Sequence, residues 1–284
     1  MSGNVLFDAP GPRTVARHRV YTGITLLVII GLVLLILGKL NETGQLEYAK
    51  WEPFVTPDYV RVLLVDGLLK TLEMAFFAII FAVVFGLAFG IGKLSEHRWI
   101  SLPSFLVVEF FRAIPVLLLM IFIFYMLSVG DGLLSSFWCV VLALTLYNGS
   151  VLAEVFRAGI NAVPRGQVEA AYALGLRKKQ VMTSIQLPQA VKIMLPAVVS
   201  QCVVALKDTT LGVYILAPGL TFVSKQIYLQ FFNQVPTAMV VAALFIACNL
   251  ILTGIAHWLQ RRLTGEKTSA ATPALDEGVG VPAA

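Results

Sequence analysis

Charged residues are scarce in this sequence of 284 residues. Only 13% of them are Asp, Glu, Lys or Arg, whereas an average soluble domain has about 25%. Apolar residues make up 58% of the chain, which excludes a disordered chain, a collagen and an ordinary soluble enzyme. Lys and Arg exceed Asp and Glu by only 21 to 16. So small an excess on so apolar a chain does not predict a nucleic-acid binder.

Residues for disulfides, metal binding and catalysis are also few. Cys139, Cys202 and Cys248 lie in apolar runs and are odd in number, so they predict no disulfide framework. The three histidines lie at the ends of apolar runs, and neither H-E-x-x-H nor G-x-S-x-G occurs. No G-x-x-x-x-G-K-[ST] loop is present to hold ATP phosphates. We therefore predict no catalytic residue, no metal site and no bound cofactor in this chain.

Long apolar runs dominate the sequence instead. A bilayer core about 30 Å thick needs roughly 20 apolar helical residues. Six runs meet that length, namely 20–37, 67–92, 102–127, 136–156, 195–216 and 235–259. They predict an all-α, polytopic membrane protein with six transmembrane helices. The second run contains Ala82, Gly86 and Gly90, whose spacing predicts close packing against another helix.

The distribution of basic residues predicts the orientation of these spans. If the six spans alternate, 14 of the 21 basic residues lie on the side of both termini and 4 lie on the other side. Cytoplasmic segments are enriched in Lys and Arg, so both termini are predicted to be cytoplasmic. We predict a cytoplasmic tail at 1–19, a first span with an extracytoplasmic interfacial segment at 20–63 and a transmembrane domain at 64–260. Residues 261–284 are predicted to be a disordered cytoplasmic tail.

The longest cytoplasmic connection, at 158–192, has the pattern of two short helices. Pro164 is suited to the start of a helix, and Glu169 favours the positive end of its dipole. Gly175 interrupts the pattern, and a second helix is predicted to end at Leu187 because Pro188 follows. A bent helical knob of this kind is suited to docking in a groove of a partner. A surface helix that only covers a loop is equally compatible with the periodicity.

The residues of this connection carry a resemblance to a known family. Glu169, Ala170, Ala171, Gly175, Ile185, Leu187 and Pro188 resemble the EAA signature of ATP-binding-cassette (ABC) importer permeases without a gap. The segments 66–72, 109–115, 153–167 and 207–211 resemble, in order, further motifs of the polar amino-acid permeases in that family. The resemblance extends over residues 64–260, and glutamate permeases are the most similar group. Ala113 and Ile114 depart from the usual Gly-Thr.

The resemblance implies a MetI-like permease core and a machine of several chains. The connection at 158–192 would be the coupling loop that docks on a separate ATP-binding subunit, which would hold ATP-Mg. A second permease, identical or related, would complete the path for a small polar amino acid, with glutamate favoured. An extracytoplasmic solute-binding protein would deliver that amino acid. The expected location is the bacterial cell membrane, in contact with lipid.

Ionisable residues inside predicted spans are expensive and need a partner or an aqueous cavity. Glu109 with Arg112, and Glu154 with Arg157, are spaced i,i+3 and are predicted to be structural ion pairs.

The charges at Lys207 and Asp208 lie about midway along the fifth predicted span. The residues Thr209, Thr210 and Gly212 follow, so the helix is predicted to unwind there. We predict that Lys207, with Asp208, Gln201 and Asn148, lines the substrate path and meets the substrate carboxylate.

Two other functional classes remain compatible with the spans. A stand-alone secondary amino-acid carrier explains the buried charges but gives no use to the EAA-like loop. A signalling subunit that transports nothing would keep a docking loop, but it has no need of charges at mid-depth. A dependence of uptake on ATP would separate the first of these from an ABC permease.

Overall fold

The computed structural model describes residues 12–130 and 132–264 and is helical almost throughout. Its α-helices over those residues are α1 (Pro12–Glu42), α2 (Tyr48–Trp51), α3 (Pro57–Val62), α4 (Lys70–Lys93), α5 (Arg98–Ala113), α6 (Val116–Leu127), α7 (Ser136–Asn161), α8 (Arg165–Ala173), α9 (Lys178–Val181), α10 (Leu187–Asp208), α11 (Leu220–Phe231) and α12 (Gln234–Thr264). Short 3₁₀ segments lie at Glu52–Phe54 and Thr209–Ile215, and π-helical segments at Leu63–Leu69 and Met182–Gln186. The predicted all-α fold is confirmed.

The chain forms two compact units, and the smaller one combines the residues up to Val60 with Ile227–Val240. Here the segment after α1 folds into short helices around the turn between α11 and α12. Lys50 Nζ donates a hydrogen bond to the Phe231 carbonyl at 3.1 Å, and Asn233 Nδ2 donates to the Lys50 carbonyl at 2.8 Å. These bonds satisfy the open backbone groups of the turn, so the predicted interfacial segment is an ordered part of this unit.

The larger unit is built around the packing of α4 against α7. Small residues make the close approach possible, because a Cβ on Gly86 would lie 2.8 Å from Leu152 Cβ. A Cβ on Gly90 would lie 2.9 Å from the Ala153 carbonyl oxygen. Ala82 is also buried in this contact. The stripe of small residues therefore packs against a helix of the same chain, as its spacing predicts.

Five helical stretches over the described residues are long and apolar enough to cross a membrane. The third predicted span is not a continuous helix, because α5 and α6 meet at an angle of 101°. Ile114 is extended, with φ −86° and ψ 129°, and Pro115 follows it. Proline disfavours a helical conformation for the residue before it and cannot donate a helical hydrogen bond. The apolar sequence therefore gave no sign of this break in the helix. If α5 and α6 cross the membrane together as one bent span, they make a sixth span.

The helix predicted to end at Leu187 in fact continues through Pro188. Helical structure runs from Lys178 to Ile215, and Met182–Gln186 forms a π-helical turn just before the proline. A π-turn shifts the hydrogen-bond register by one residue, so it accommodates a proline that an α-helical turn would exclude. The second arm of the loop is therefore continuous with a membrane span, and the expected stop was wrong.

The tails are described only in part. Residues 12–19 of the predicted N-terminal tail belong to α1, and residues 261–264 of the predicted disordered tail belong to α12. Residues 1–11 and 265–284 lie outside the described residues, and so does the prediction made for them.

Candidate functional site

A helical knob, residues 165–181, follows the end of α7. It consists of α8, a turn at Gly175 and α9. Gly175 has φ +79°, a left-handed conformation that L-residues other than Gly adopt rarely. Its N–H donates to the Tyr172 carbonyl at 2.9 Å, and the Leu176 N–H donates to the Ala171 carbonyl at 3.2 Å. These bonds satisfy the last carbonyls of α8 and fix the bend between the two arms.

The EAA-like residues, of which the first four lie in the knob and the last three follow it, occupy two environments. Ala171 is buried, together with Val163 and Val181. Glu169, Ala170, Gly175, Leu187 and Pro188 are exposed, whereas Ile185 is half-buried. The Leu174 side chain, beside the turn, is 82% exposed.

An ion pair ties the knob to the segment between α4 and α5. Lys178, the first residue of α9, pairs with Glu96, and both side chains are exposed. The hydrogen bond and the charge of Lys178 hold the pKa of the Glu96 carboxyl below its usual range. Because the pair is fully accessible to water, it contributes little to stability.

A network of five charged side chains joins the ends of α4, α5 and α7. Arg112 Nη1 lies 3.2 Å from Glu109 Oε1, and Arg157 Nη2 lies 2.9 Å from Glu154 Oε2, so each predicted i,i+3 pair is present. Lys93 joins these two pairs, since its Nζ contacts Glu154 and lies 3.2 Å from Glu109 Oε1. The network lines a cleft of about 570 Å³.

Lys93 is not among the predicted site residues, because its position in the sequence indicates only a cytoplasmic loop. The Lys93 side chain is 5% exposed and lies 4.7 Å from the centre of the Phe105 ring. Spacing along one helix reveals i,i+3 pairs, but it says nothing about partners on other helices.

Asn148, one of the predicted substrate-path residues, lies in α7, and the other three divide between two faces of α10. Gln201 faces α7, where its Nε2 donates to Asn148 Oδ1 at 2.5 Å. Asp208, two helical turns further along, is half-buried and shares that face by its spacing. Lys207 is exposed on another face, and no side chain of residues 12–130 and 132–264 accepts a hydrogen bond from its ammonium. The structure thus brings together Asn148 and Gln201, but not Lys207.

Lys207 belongs instead to a polar stripe that consists of Lys192, Ser200 and Lys207. At about 100° per residue, spacings of eight and seven residues keep the three within about 80° of one another. All three are exposed. A lysine on the exposed side of a span is costly to leave in lipid, whereas one near a helix end can reach the interface. Lys207 therefore requires water or a partner chain beside it, whereas Lys192 belongs to the predicted cytoplasmic connection.

The helix changes its winding just after Lys207. The α-helix ends at Asp208, and Thr209–Ile215 is a 3₁₀ helix that stops at Leu216 with φ +55°. Thr209 Oγ1 donates to the Leu206 carbonyl at 2.6 Å, and Thr210 Oγ1 donates to the Lys207 carbonyl at 2.8 Å. The threonines thus satisfy carbonyls that the change of winding releases. The helix tightens here instead of unwinding as predicted, because Thr209–Ile215 forms a 3₁₀ helix.

Among the described site residues, Asn148 is buried and has a side-chain polar atom without a hydrogen-bond partner. The residue is 1% exposed, and its Nδ2 has no hydrogen-bond partner among the residues that the structure describes. A buried donor without a partner costs about 1–3 kcal/mol. Such a donor beside the polar chain of Gln201 is available to a water molecule or to a ligand.

Comparisons with known proteins agree on one kind of protein. Residues 75–265 match the family described as binding-protein-dependent transport system inner membrane component. The chain is 42% identical over 232 residues to the glutamate transport system permease protein GluD of Corynebacterium glutamicum, covering 79% of this chain and 83% of that one. It is 34% identical over 207 residues to a probable glutamine ABC transporter permease protein GlnP of Bacillus subtilis, covering 71% and 94%.

Solved structures show the same likeness. A crystal structure of an amino acid ABC transporter with histidines matches at 30% identity and a TM-score of 0.66, over 70% of this chain and 94% of that one. The inward-facing methionine ABC transporter MetNI matches at 22% identity and a TM-score of 0.62, over 71% and 96%, and supports the fold alone.

Proposed function

We propose a function for this chain, which belongs to the family of binding-protein-dependent transport system inner membrane components. It is the permease subunit of an ATP-driven importer of a polar amino acid, with glutamate as the favoured substrate. The observation that carries the proposal is the 42% identity with a glutamate transport system permease protein over 79% of this chain. A relative so similar over most of both chains supports a shared substrate class.

The knob is the dock for a separate ATP-binding subunit. Its turn at Gly175 is rigid and projects the exposed Leu174, and Glu169 and Ala170 are free to contact a partner. Helices that project an apolar side chain bind in grooves. ATP-Mg and its hydrolysis belong to that partner, and this chain contributes the movement of its helices.

The polar stripe lines the translocation path, and a second permease chain, identical or related, closes it. Lys192, Ser200 and Lys207 are exposed in the single chain, so a second chain across an aqueous space gives them the surroundings that lipid cannot. Lys207 attracts the substrate carboxylate.

Both termini and the knob lie on the cytoplasmic side of the bacterial cell membrane. The 14-to-4 distribution of basic residues supports this orientation. The segment after α1 then faces outward, where an extracytoplasmic solute-binding protein delivers the amino acid.

Reconstitution tests the proposal directly. The chain is purified with its ATP-binding subunit and second permease, placed in vesicles, and supplied with ATP, a solute-binding protein and labelled glutamate, glutamine, arginine or histidine. We expect uptake that requires ATP and favours glutamate. Uptake by the chain alone on an ion gradient would instead identify a secondary carrier, and ATP-driven uptake of another amino acid would correct the substrate.

A variant pair tests the dock. Replacing Gly175 with Asp places a branched, charged side chain at φ +79°, and Glu169→Lys reverses an exposed charge. Both should abolish copurification with the ATP-binding subunit without preventing membrane insertion. Normal recovery of the subunit with both variants would refute the docking role.

A further inference from the structure

The end of α4 contacts α7, which precedes the knob, and the segment just after α4 contacts α9 within the knob. Lys93, the last residue of α4, contacts Glu154 in α7, which lies about two helical turns before the end of that helix at Asn161. The knob begins four residues after Asn161. In the second arm of the knob, Lys178 at the start of α9 pairs with Glu96, three residues beyond the end of α4.

Lys93 is the buried member of this arrangement. Its side chain is 5% exposed, compared with 18% for Glu154 and 42% for Glu109. The ammonium also lies over the Phe105 ring, so α5 supplies two of its contacts and α7 supplies one. A buried charge that loses its partner is strongly destabilised. Lys93 must therefore follow both carboxylates when either helix moves.

At the other end of α4, the Leu220 N–H donates to the buried Thr71 Oγ1 at 2.8 Å, so a neutral hydrogen bond and not a charged network links this end to a neighbouring helix. Lys70 pairs with Glu73 on the same helix at 2.8 Å, and both side chains are more than a third exposed. That pair cannot transmit movement between helices, because both partners belong to one rigid element. The cytoplasmic end of α4 differs from the other end in linking three helices.

We infer that Lys93 is a positioning residue that transmits movement of the knob from α7 to α4 and α5. This inference rests on the proposed function, since it needs an ATP-binding subunit that moves the knob. Lys93 does not touch the substrate. It keeps the three helices moving together, so that ATP hydrolysis and opening of the path stay coupled.

The test compares three variants in the reconstituted complex. Lys93→Met removes the charge and keeps the chain length, Lys93→Arg keeps the charge, and Lys70→Met removes the intrahelical pair on the same helix. We expect Lys93→Met to lower the amino acid transported per ATP hydrolysed roughly tenfold, with the ATP-binding subunit still bound. Lys93→Arg should restore most of the ratio, and Lys70→Met should leave it unchanged.

The outcomes separate this inference from the proposed function. A wild-type complex that shows no ATP-driven uptake refutes the proposed function. A wild-type complex that couples normally, with Lys93→Met equal to Lys70→Met, refutes the inference alone. If Lys93→Met does not fold, Glu109→Gln replaces it, because it removes one half-exposed contact and leaves the pair with Glu154. An unchanged ratio in that variant also overturns the inference.

Discussion

The helices α7 and α10 have nearly the same mean hydropathy, yet they occupy different surroundings. In the most apolar stretch of α7, 67% of the residues are buried, whereas the figure for the helical stretch Lys178–Ile215 that contains α10 is 22%. Apolarity alone therefore predicts insertion but not contact. What separates the two helices is the placement of their small and polar residues.

Small residues distinguish α7. Its Gly149 faces Phe85, its Gly159 faces Met194, and the glycines of α4 approach it just as closely. By contrast, the polar residues of α10 lie along its exposed side as the stripe Lys192, Ser200 and Lys207. Small residues thus indicate contact within the chain, and a polar stripe on a membrane helix indicates contact with water or another chain.

The largest expected effect comes from breaking the packing of α7. Gly90→Val would place a Cβ 2.9 Å from the Ala153 carbonyl oxygen, where only backbone movement can relieve the clash. Overpacking of this kind costs about 1–3 kcal/mol or more, so we expect a clear loss of thermal stability in detergent. Gly254→Val is the control, because a Cβ there meets nothing within 4 Å. Equal melting temperatures for the two variants would contradict the described packing.

The sequence predicted the helices well because apolar length governs insertion. It failed at Pro115 and Pro188, where a proline inside or beside an apolar run produced a bend in one case and a π-turn in the other. Membrane helices tolerate proline because neighbouring groups satisfy the released carbonyls, so sequence alone does not distinguish these outcomes. Lys93 escaped notice for a related reason, since its partners lie on other helices.

The second effect concerns the polar stripe on α10. Lys207→Met should lower uptake of an acidic amino acid roughly tenfold, the expected result of losing one charged hydrogen bond to the substrate. The melting temperature should not change, because Lys207 is exposed. Measurements of uptake against substrate concentration, with Lys207→Arg as the control, test this. Unchanged uptake would place the substrate carboxylate elsewhere.

A third effect tests the polar contact between the two helices. Gln201→Leu removes the donor to Asn148 Oδ1 and leaves the buried Asn148 amide without that partner. An unsatisfied buried group lowers the free energy of unfolding by about 1–3 kcal/mol. The double variant Asn148→Leu with Gln201→Leu should therefore lose less stability than the sum of the losses in the two single variants. Melting temperatures of the four proteins give the coupling. Additive effects would mean that the two side chains do not interact.

The smallest effect is expected at the knob, where the Lys178–Ile215 stretch begins with an exposed ion pair. Because Lys178 lowers the pKa of Glu96, the contribution of this pair is present above the ordinary pKa of glutamate and is lost as the pH falls through the lowered one.

Hydrogen exchange of the α9 amides from neutral to acid pH, corrected for the intrinsic exchange rate at each pH, measures that contribution. Protection in the wild-type protein should fall only slightly in acid, by about twofold, and Glu96→Gln should remove this pH dependence. A large change would show that the exposed pair, and not the buried contacts of α7, fixes the knob. In that case the buried contacts of α7 would stabilise only the membrane-spanning part, and the position of the knob would depend on the exposed ion pair at α9.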